Sequence, residues 1–414
     1  MRRAYLAAAA VIIVAAAVGY AAFPASDIQD APAPTGTGPP DLASLPVVSA
    51  SEIESAVIPQ EIADSNNGFA VDFYRQVSKE DGNIFFSPLS MYTAFSLLYE
   101  GASGEAAGEL EDAFGFEPDA QARHNMTAHT IASINRDDPH AKLALANSLW
   151  PFVGNVRPEY LDVGRSTYLA TIENPGDDPS MRINQWVSNI TNGKITEVVG
   201  PDSFADPILA IVNAVYFKGT WEMQFPPEAT KMDEWHGEGD AEANYMNVVG
   251  IFDYEEYDGL QVLRMPYEGG RLSMTVVLPE PGGMADLEES ISEGQVADWT
   301  GSMLEREVSV SLPKFTASTN YDLIGYLKAL GVHRIFEFKP PALAGIYGGD
   351  LSVRTAIHGA FVDINEEGTE AAAATIISAA ITEPPRFNAD RPFIFLIQDD
   401  ESGTILFMGR VSNP

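Results

Sequence analysis

The segment EEGTEAAAATIISAAITEPP occupies residues 366–385 and is the most unusual run in the chain. It follows a strand-like run, AFVDIN, at residues 360–365, and precedes another, PFIFLI, at residues 392–397. About 20 residues thus connect two strands without an obvious turn sequence. Connections of this length in compact domains are uncommon and usually functional, so we expect the segment to carry the function of the protein.

Two conformations are open for this segment. Alanine has the highest helix propensity, so residues 371–374 favour a helix, but residues 375–377 are Thr-Ile-Ile, which prefer strands. Gly368 precedes the run and can adopt the positive φ of a chain reversal, and no proline interrupts it before Pro384. The second conformation is therefore a strand that has not yet joined a sheet.

The side-chain pattern of such a strand is two-faced, because successive side chains point to opposite sides. Glu370 and Ser378 belong to the more polar face. The other face is uncharged, with only small or aliphatic groups that suit a protein core: Thr369, Ala371, Ala373, Thr375, Ile377, Ala379 and Ile381. This alternation is what a buried central strand requires.

The bulk composition is that of a globular protein with an acidic surface. Hydrophobic residues make up 45% of the 414 residues, and the formal net charge is −35. The acidity disfavours nucleic acid and anionic lipid as partners, since phosphate binding needs clustered Lys and Arg. The chain has no cysteine, which excludes disulfides, thiolate nucleophiles and Cys-ligated metals.

The N-terminus predicts export. Basic residues at positions 2 and 3 precede an uncharged apolar run at residues 5–23, nearly long enough to cross a bilayer as a helix. A cleaved signal peptide (residues 1–23) and an uncleaved membrane anchor are both open. Residues 24–55 are rich in Pro, Ala and Gly, which predicts a flexible linker, and residues 56–414 are predicted to form one domain. We expect this domain to lie outside the cytoplasm, secreted or tethered to the outer face of the membrane through residues 5–23.

Helical patterns come first along the domain and strand patterns dominate later, which favours an α+β fold with antiparallel sheets. Ser87 and Pro88 form a helix start signal, because serine caps helices and proline suits the first turn. Apolar or alternating runs predict strands at residues 209–217, 272–278, 308–312 and 404–408.

Motifs of catalysis are missing from the sequence. There is no Gly-x-Ser-x-Gly elbow, no His-Glu-x-x-His pair and no glycine-rich phosphate loop, and the six histidines are scattered. The sequence thus offers no support for an enzyme activity, a metal or a cofactor, and we expect none.

Several segments, in order, resemble the serpin family. Residues 368–374, GTEAAAA, are similar to the hinge of the reactive-centre loop of an inhibitory serpin. The resemblance extends over about residues 60–414, and the motifs that carry it are residues 83–90, 184–187, 191–195, 213–221, 312–315, 388–395 and 407–411. It implies a serpin fold with three antiparallel or mixed β-sheets, about nine helices and an exposed reactive-centre loop.

The resemblance also implies roles for individual residues. The serpin breach, where loop insertion begins, corresponds to Trp221. The shutter, a polar group under the sheet that opens, corresponds to Ser87, Ser90, Asn213 and His358. The hinge corresponds to Glu366, Glu367, Gly368, Thr369, Glu370, Ala371, Ala372, Ala373 and Ala374. For the shutter and breach residues, ordinary buried polar contacts remain the alternative to such a role.

The scissile bond has two candidate positions. The usual family spacing from Glu366 gives Thr382–Glu383, whereas counting back from the prolines gives Ile381–Thr382. Both residues that would precede the bond are uncharged and β-branched, and a trypsin-like protease would require Lys or Arg. The expected partner is therefore an extracellular elastase-like or subtilisin-like serine protease.

The implied function is suicide inhibition of that serine protease by insertion of the cleaved loop into the central sheet. A non-inhibitory binding or chaperone module, a cross-class inhibitor of papain-like cysteine proteases and a membrane-tethered structural protein are the alternatives. No cluster of Lys and Arg suggests a heparin-type cofactor. We expect a monomer.

Overall fold

The computed structural model describes residues 56–135, 138–204, 208–237, 239–301, 303–337, 342–368 and 383–414. Nine α-helices lie within these residues: α1 (Gln60–Val77), α2 (Pro88–Tyr99), α3 (Glu105–Phe114), α4 (Ala120–Ile134), α5 (Pro158–Ser166), α6 (Pro179–Ile190), α7 (Met284–Ser290), α8 (Glu293–Thr300) and α9 (Leu323–Ala329). The predicted start of α2 is present, since Ser87 is its N-cap and accepts a hydrogen bond from the Ser90 backbone N–H.

The strands of the described residues follow the same chain order. They are β1 (Ile84–Phe86), β2 (Ala141–Pro151), β3 (Thr171–Ile172), β4 (Leu209–Gly219), β5 (Lys231–Gly237), β6 (Gly239–Tyr257), β7 (Leu260–Pro266), β8 (Leu272–Pro279), β9 (Leu304–Pro313), β10 (Phe315–Asp322), β11 (Thr355–Ile364), β12 (Arg386–Asn388), β13 (Phe393–Asp399) and β14 (Thr404–Val411). Each strand predicted from an apolar or alternating run is present, which confirms the α+β fold class.

Hydrogen bonding among the described strands produces two sheets rather than the three expected. The smaller has the order β10-β11-β4-β2-β3, and the larger runs β1-β14-β13-β8-β7-β6-β9-β12 with β5 on β6. The cause is the length of β6, which pairs with β5 near its start, with β9 along its middle and with β7 at its end. One continuous strand thereby joins two of the three expected sheets.

The five-stranded sheet lies between two apolar layers. Its inner face packs on α2 and on the larger sheet in the main core. Its outer face is covered by α6, whose Ile183 and Val187 belong to a second apolar cluster with Val212, Ile357 and Phe361 of the sheet. The helix lies mainly across the central strand β4 and its neighbour β2.

Candidate functional site

The central parallel pair, β4 with β11, is the part of the sheet next to the unusual segment. Its register runs from Thr355 opposite Ala210 to Phe361 opposite Tyr216. Strand β11 leads directly into residues 366–385, and the start of that segment contacts the far end of β4. A chain segment that folded back from this end into the sheet would have to separate β4 from β11.

The four predicted shutter residues lie together under this pair. His358 of β11 is the register partner of Asn213 of β4 and shares a hydrogen bond between its Nδ1 and Asn213 Oδ1. The Ser87 backbone N–H donates to His358 Nε2 at 3.0 Å. The Asn213 amide donates to the Ser90 carbonyl at 3.1 Å and also to the Ser90 hydroxyl. The N-terminal turn of α2 thus joins both strands of the central pair through buried polar groups.

Sequence reasoning missed two members of this network. Asn147 of β2 is the other register neighbour of Asn213 and accepts a hydrogen bond from its amide. Asn147 in turn donates to Thr93 of α2 at 2.9 Å, and Thr93 donates to the Ser90 carbonyl at 3.0 Å. A polar residue inside the apolar run LALANSLW was the available signal for Asn147. The network therefore spans three adjacent strands, not two.

The protonation state of His358 follows from its surroundings. The side chain is fully buried, and burial lowers its pKa from 6.5 to about 3. Because Nε2 accepts from the Ser87 backbone, the proton of the neutral ring is on Nδ1, which donates to Asn213 Oδ1. The network is thus satisfied by a neutral histidine in one tautomer, and protonation would remove the acceptor that holds Ser87.

Acid should therefore weaken the fold through His358. A base whose folded-state pKa is depressed binds its proton only in the unfolded chain, so stability is lost as pH falls below 6.5 towards about 3. The slope is about 1.4 kcal/mol per pH unit for one proton. Chemical denaturation between pH 7 and pH 4 should show this slope in excess over the variant His358→Gln. Equal slopes in the two chains would contradict the assignment.

Trp221, the predicted breach residue, lies at the end of β4 in contact with the start of the hinge. It is buried and stacks on Tyr267, with ring centroids 4.4 Å apart and an interplanar angle of 11°. Its indole N–H donates to the Asn365 carbonyl at 3.0 Å, and its backbone N–H donates to the Glu367 carbonyl at 3.2 Å. The structure therefore brings the predicted breach and the first predicted hinge residues together.

The side chain of Glu366, the first predicted hinge residue, is held by two partners. The carboxylate forms an ion pair with Lys314 at 2.8 Å and accepts a hydrogen bond from the Thr230 hydroxyl at 2.8 Å. Burial raises the pKa of Glu366, but these two partners and its own backbone N–H lower the pKa further, so the net pKa lies below the usual value. The backbone carbonyl of Glu366 also accepts from the Phe225 N–H at 3.0 Å.

Gly368 has the positive φ, +71°, that its place before the alanine run predicts for a chain reversal. A Cβ atom on this residue would lie 2.4 Å from both the Gly219 carbonyl oxygen and the Trp221 backbone nitrogen. Only glycine fits here, because the backbone at residue 368 lies directly against the end of β4. The remaining predicted hinge residues, 369–374, lie outside the described residues, as do Ile381 and Thr382 of the candidate bonds.

The described chain resumes at Glu383, the residue after one candidate bond. Its side chain is 89% exposed and lies 3.8 Å from the guanidinium of Arg386, which is 79% exposed. Arg386 begins β12, which pairs in parallel with β9, and the Pro385 carbonyl accepts from the Ser309 N–H at 2.9 Å. The unusual segment is thus attached to the central pair at one end and to the edge of the larger sheet at the other.

Neither a metal nor a membrane element is indicated within the described ranges. Their His, Asp and Glu side chains include no group that could hold a metal ion. No helix among the described elements is both long enough and apolar enough to cross a bilayer. The apolar run at residues 5–23 lies outside the described part, so its role stays a prediction.

Comparison with known proteins identifies relatives over most of the chain. A family model described as "Serpin (serine protease inhibitor)" matches residues 64–414. A serpin-like protein of Thermococcus kodakarensis is 36% identical over 371 residues, covering 85% of this chain and 86% of its own. The leukocyte elastase inhibitor of Homo sapiens is 34% identical over 379 residues, covering 86% and 100%. The crystal structure of uncleaved ovalbumin matches with a TM-score of 0.79 at 27% identity, covering 85% and 100%.

Proposed function

The chain belongs to the serpin family, and from this premise we propose that it is a suicide inhibitor of an extracellular serine protease. Members of the family are in general protease inhibitors rather than catalysts. The observation that carries the finer proposal is the position of the hinge. Its first residues are held at the open end of the central parallel pair, whose two strands are joined by the buried Asn213–His358 contact.

The proposed reaction begins with the protease attacking the loop as a substrate. The nucleophilic serine of the protease attacks the carbonyl carbon of the scissile bond, the new amine leaves with the C-terminal fragment, and an acyl-enzyme forms. The fragment beginning at Glu383 or Thr382 remains attached through β12 and the strands that follow it. The cut frees the hinge side of the loop, which carries the acylated protease.

Insertion then proceeds from Gly368 between β4 and β11. The inserted strand forms ladder hydrogen bonds with both neighbours, and about a dozen such bonds at roughly 0.5–1.5 kcal/mol each contribute on the order of 10 kcal/mol. Burial of the apolar face of residues 369–381 adds to this at about 25 cal/mol per Å². A gain of this size makes insertion irreversible and distorts the protease before water can hydrolyse the acyl bond.

The class of protease follows from the residue before the bond. Thr382 and Ile381 are both uncharged and β-branched, which suits an elastase-like or subtilisin-like substrate pocket. One relative of this chain is a leukocyte elastase inhibitor. We propose that the inhibitor acts outside the cytoplasm, as a monomer, either secreted or tethered by residues 5–23.

The experiment is to incubate the full chain with leukocyte elastase, subtilisin and papain in separate reactions. We expect a complex with at least one serine protease that survives a denaturing gel, and none with the same protease after its catalytic serine is replaced by alanine. Sequencing the C-terminal fragment, which the denaturing gel separates from the complex, should give an N-terminus at Glu383 or Thr382. A complex with papain alone would show that the target class is wrong.

The cleaved chain supplies the second measurement. After a cut in residues 369–382 by a protease that is not retained, the unfolding free energy should rise by on the order of 10 kcal/mol because of strand insertion. Complete cleavage with an unchanged melting temperature and a fully active protease would contradict the proposal and favour a non-inhibitory binding module.

A further inference from the structure

The first helix, α1, connects the two ends of the domain. It has 18 residues and is therefore about 27 Å long. Directly after it, the Ser78 carbonyl accepts from the Arg410 guanidinium at 3.3 Å, at the end of β14 that pairs with the start of β13. The start of β13 follows the loop exit and β12 in the chain. In the first half of α1, Asn67 donates to the Gly403 carbonyl at 2.9 Å, at the opposite end of β14. The start of α1, where residues 24–55 enter the domain, therefore lies away from the loop exit.

The far ends of β4 and β11 belong to the same end of the domain as the start of α1. Val353, two residues before β11, donates its N–H to the Ile335 carbonyl at 2.7 Å. The adjacent Arg334 forms an ion pair with Glu105, the first residue of α3. At the other end of α3, which is only about 15 Å away, the carbonyl of the next residue accepts from the Ser65 hydroxyl of α1 at 3.1 Å. We refer to this end of the domain, formed by the start of α1, by α3 and by the start of β11, as the linker pole.

Insertion of the cleaved loop would carry the protease to the linker pole. Gly368 lies against the last residue of β4, and the chain from Thr369 to Ile381 would span about 43 Å as a strand at about 3.3 Å per residue. β4 has 11 residues and is therefore about 36 Å long. The residue that holds the acyl bond, Ile381 or Thr382, would thus pass the far end of β4. The trapped protease would then lie beside the point where residues 24–55 enter the domain.

A membrane at the linker pole would compete with the protease for this space. The sequence predicts that residues 5–23 can hold the chain in a bilayer. A protease domain of about 230 residues has a radius of gyration of about 17 Å, and hence a diameter of roughly 45 Å. A flexible chain as long as residues 24–55 has an average end-to-end distance of about 30 Å and reaches at most about 110 Å. The predicted linker is therefore long enough to admit a protease between the bilayer and the domain.

The charges near the linker pole favour a gap between the domain and the bilayer. Glu61 and Asp64, in the first turns of α1, are both exposed. The linker has no Lys or Arg but has five acidic residues: Asp27, Asp30, Asp41, Glu52 and Glu54. Binding to anionic headgroups needs clustered basic residues, so such a surface would repel the linker and the pole.

We propose that residues 24–55 are a spacer whose length allows the membrane-anchored inhibitor to complete the trap, because it leaves room for the protease between the bilayer and the linker pole. This inference rests on the proposed function, and it commits to an uncleaved anchor. The loop exit faces away from the bilayer, so a protease from the surrounding medium reaches the loop whether the linker is long or short. Only the insertion that follows the cut depends on the length of the linker.

The experiment compares three full-length chains in phosphatidylcholine vesicles, with leukocyte elastase or subtilisin, whichever the unaltered chain traps. The chains are the unaltered one, a deletion of residues 28–51, and a control in which a Gly-Ser sequence of equal length replaces residues 28–51. The linker residues that the deletion leaves, 24–27 and 52–55, reach at most about 28 Å, which is less than the width of the protease. We expect the deletion to lose most of its trapped fraction, measured as gel-stable complexes per cut chain, and to keep the kcat/KM of loop cleavage. The control should match the unaltered chain in both measurements.

The same three chains without residues 1–23, the form that cleavage of a signal peptide would produce, separate this inference from the proposed function. All three should trap the protease equally, because no bilayer lies beside the linker pole. A deletion that traps as well as the unaltered chain in vesicles would overturn the spacer and leave inhibition intact. A deletion that loses trapping equally with and without residues 1–23, or a Gly-Ser control that behaves like the deletion, would overturn it as well. If the unaltered chain traps neither protease in either form, the proposed function fails and the spacer with it.

Discussion

Replacing Asn213 with alanine should give a chain that opens its central sheet without being cleaved. The substitution removes the hydrogen bonds of the Asn213 side chain with Ser90, Asn147 and His358 and leaves these buried polar groups without that partner. Each unsatisfied buried group costs about 1–3 kcal/mol, so we expect a decrease of about 4 kcal/mol in the free energy of unfolding. The Asn213–His358 hydrogen bond joins β4 to β11 at the point where a strand would enter.

The measurement is native gel electrophoresis after mild heating, combined with chemical denaturation. The control variant Ser148→Ala also removes a buried hydroxyl, which donates to the Val212 carbonyl at 2.8 Å and joins β2 to β4 but not β4 to β11. We expect Asn213→Ala to form polymers or an inserted, inactive monomer, and Ser148→Ala to lose stability alone. Two variants that remain active monomers of lowered stability would mean that Asn213 is an ordinary buried polar residue.

Much of the fold could be predicted because its strands are indicated by local sequence patterns. Buried strands such as β4 and β8 are nearly continuous apolar runs in the sequence. The Ser87-Pro88 pair indicates the start of α2 independently of any tertiary contact. The number of sheets was not predictable in this way. It depends on whether β6 runs on through its 19 residues, and the strand that pairs along its middle, β9, is separated from β6 in sequence by two strands and two helices.

The site was predictable only in part, because its contacts are set by register. Asn213 and His358 are 145 residues apart, and nothing local indicates that they face each other. The resemblance to serpins supplied these residues as candidates, and the structure shows that they are in contact. It supplied neither Asn147 nor Thr93, and it did not pair Glu366 with Lys314, although Lys314 belongs to the motif at residues 312–315. Residues 369–382 lie outside the described residues, so both conformations predicted for them, a helix and an extended chain, stay predictions.

Reversing the charge of Glu366 should release the hinge from the end of the central pair. In Glu366→Lys an ammonium group would face Lys314 where the present ion pair is 2.8 Å long, and Thr230 would lose its acceptor. Lys314 is 40% exposed, so solvent screens part of the repulsion, and we expect a loss on the order of 2 kcal/mol. Amide hydrogen exchange at the ends of β4 and β11 should accelerate, and polymers should accumulate at 37 °C.

The same charge change one residue later provides the control, because Glu367 binds Trp221 through its backbone carbonyl and not through its carboxylate. We expect Glu367→Lys to remain an active monomer with unchanged exchange at both strand ends. Adding Lys314→Glu to Glu366→Lys restores an ion pair of reversed polarity and should recover most of the lost protection. If Glu366→Lys behaved like Glu367→Lys, the ion pair with Lys314 would not be what holds the predicted hinge. The same conclusion would follow if adding Lys314→Glu did not restore the lost protection.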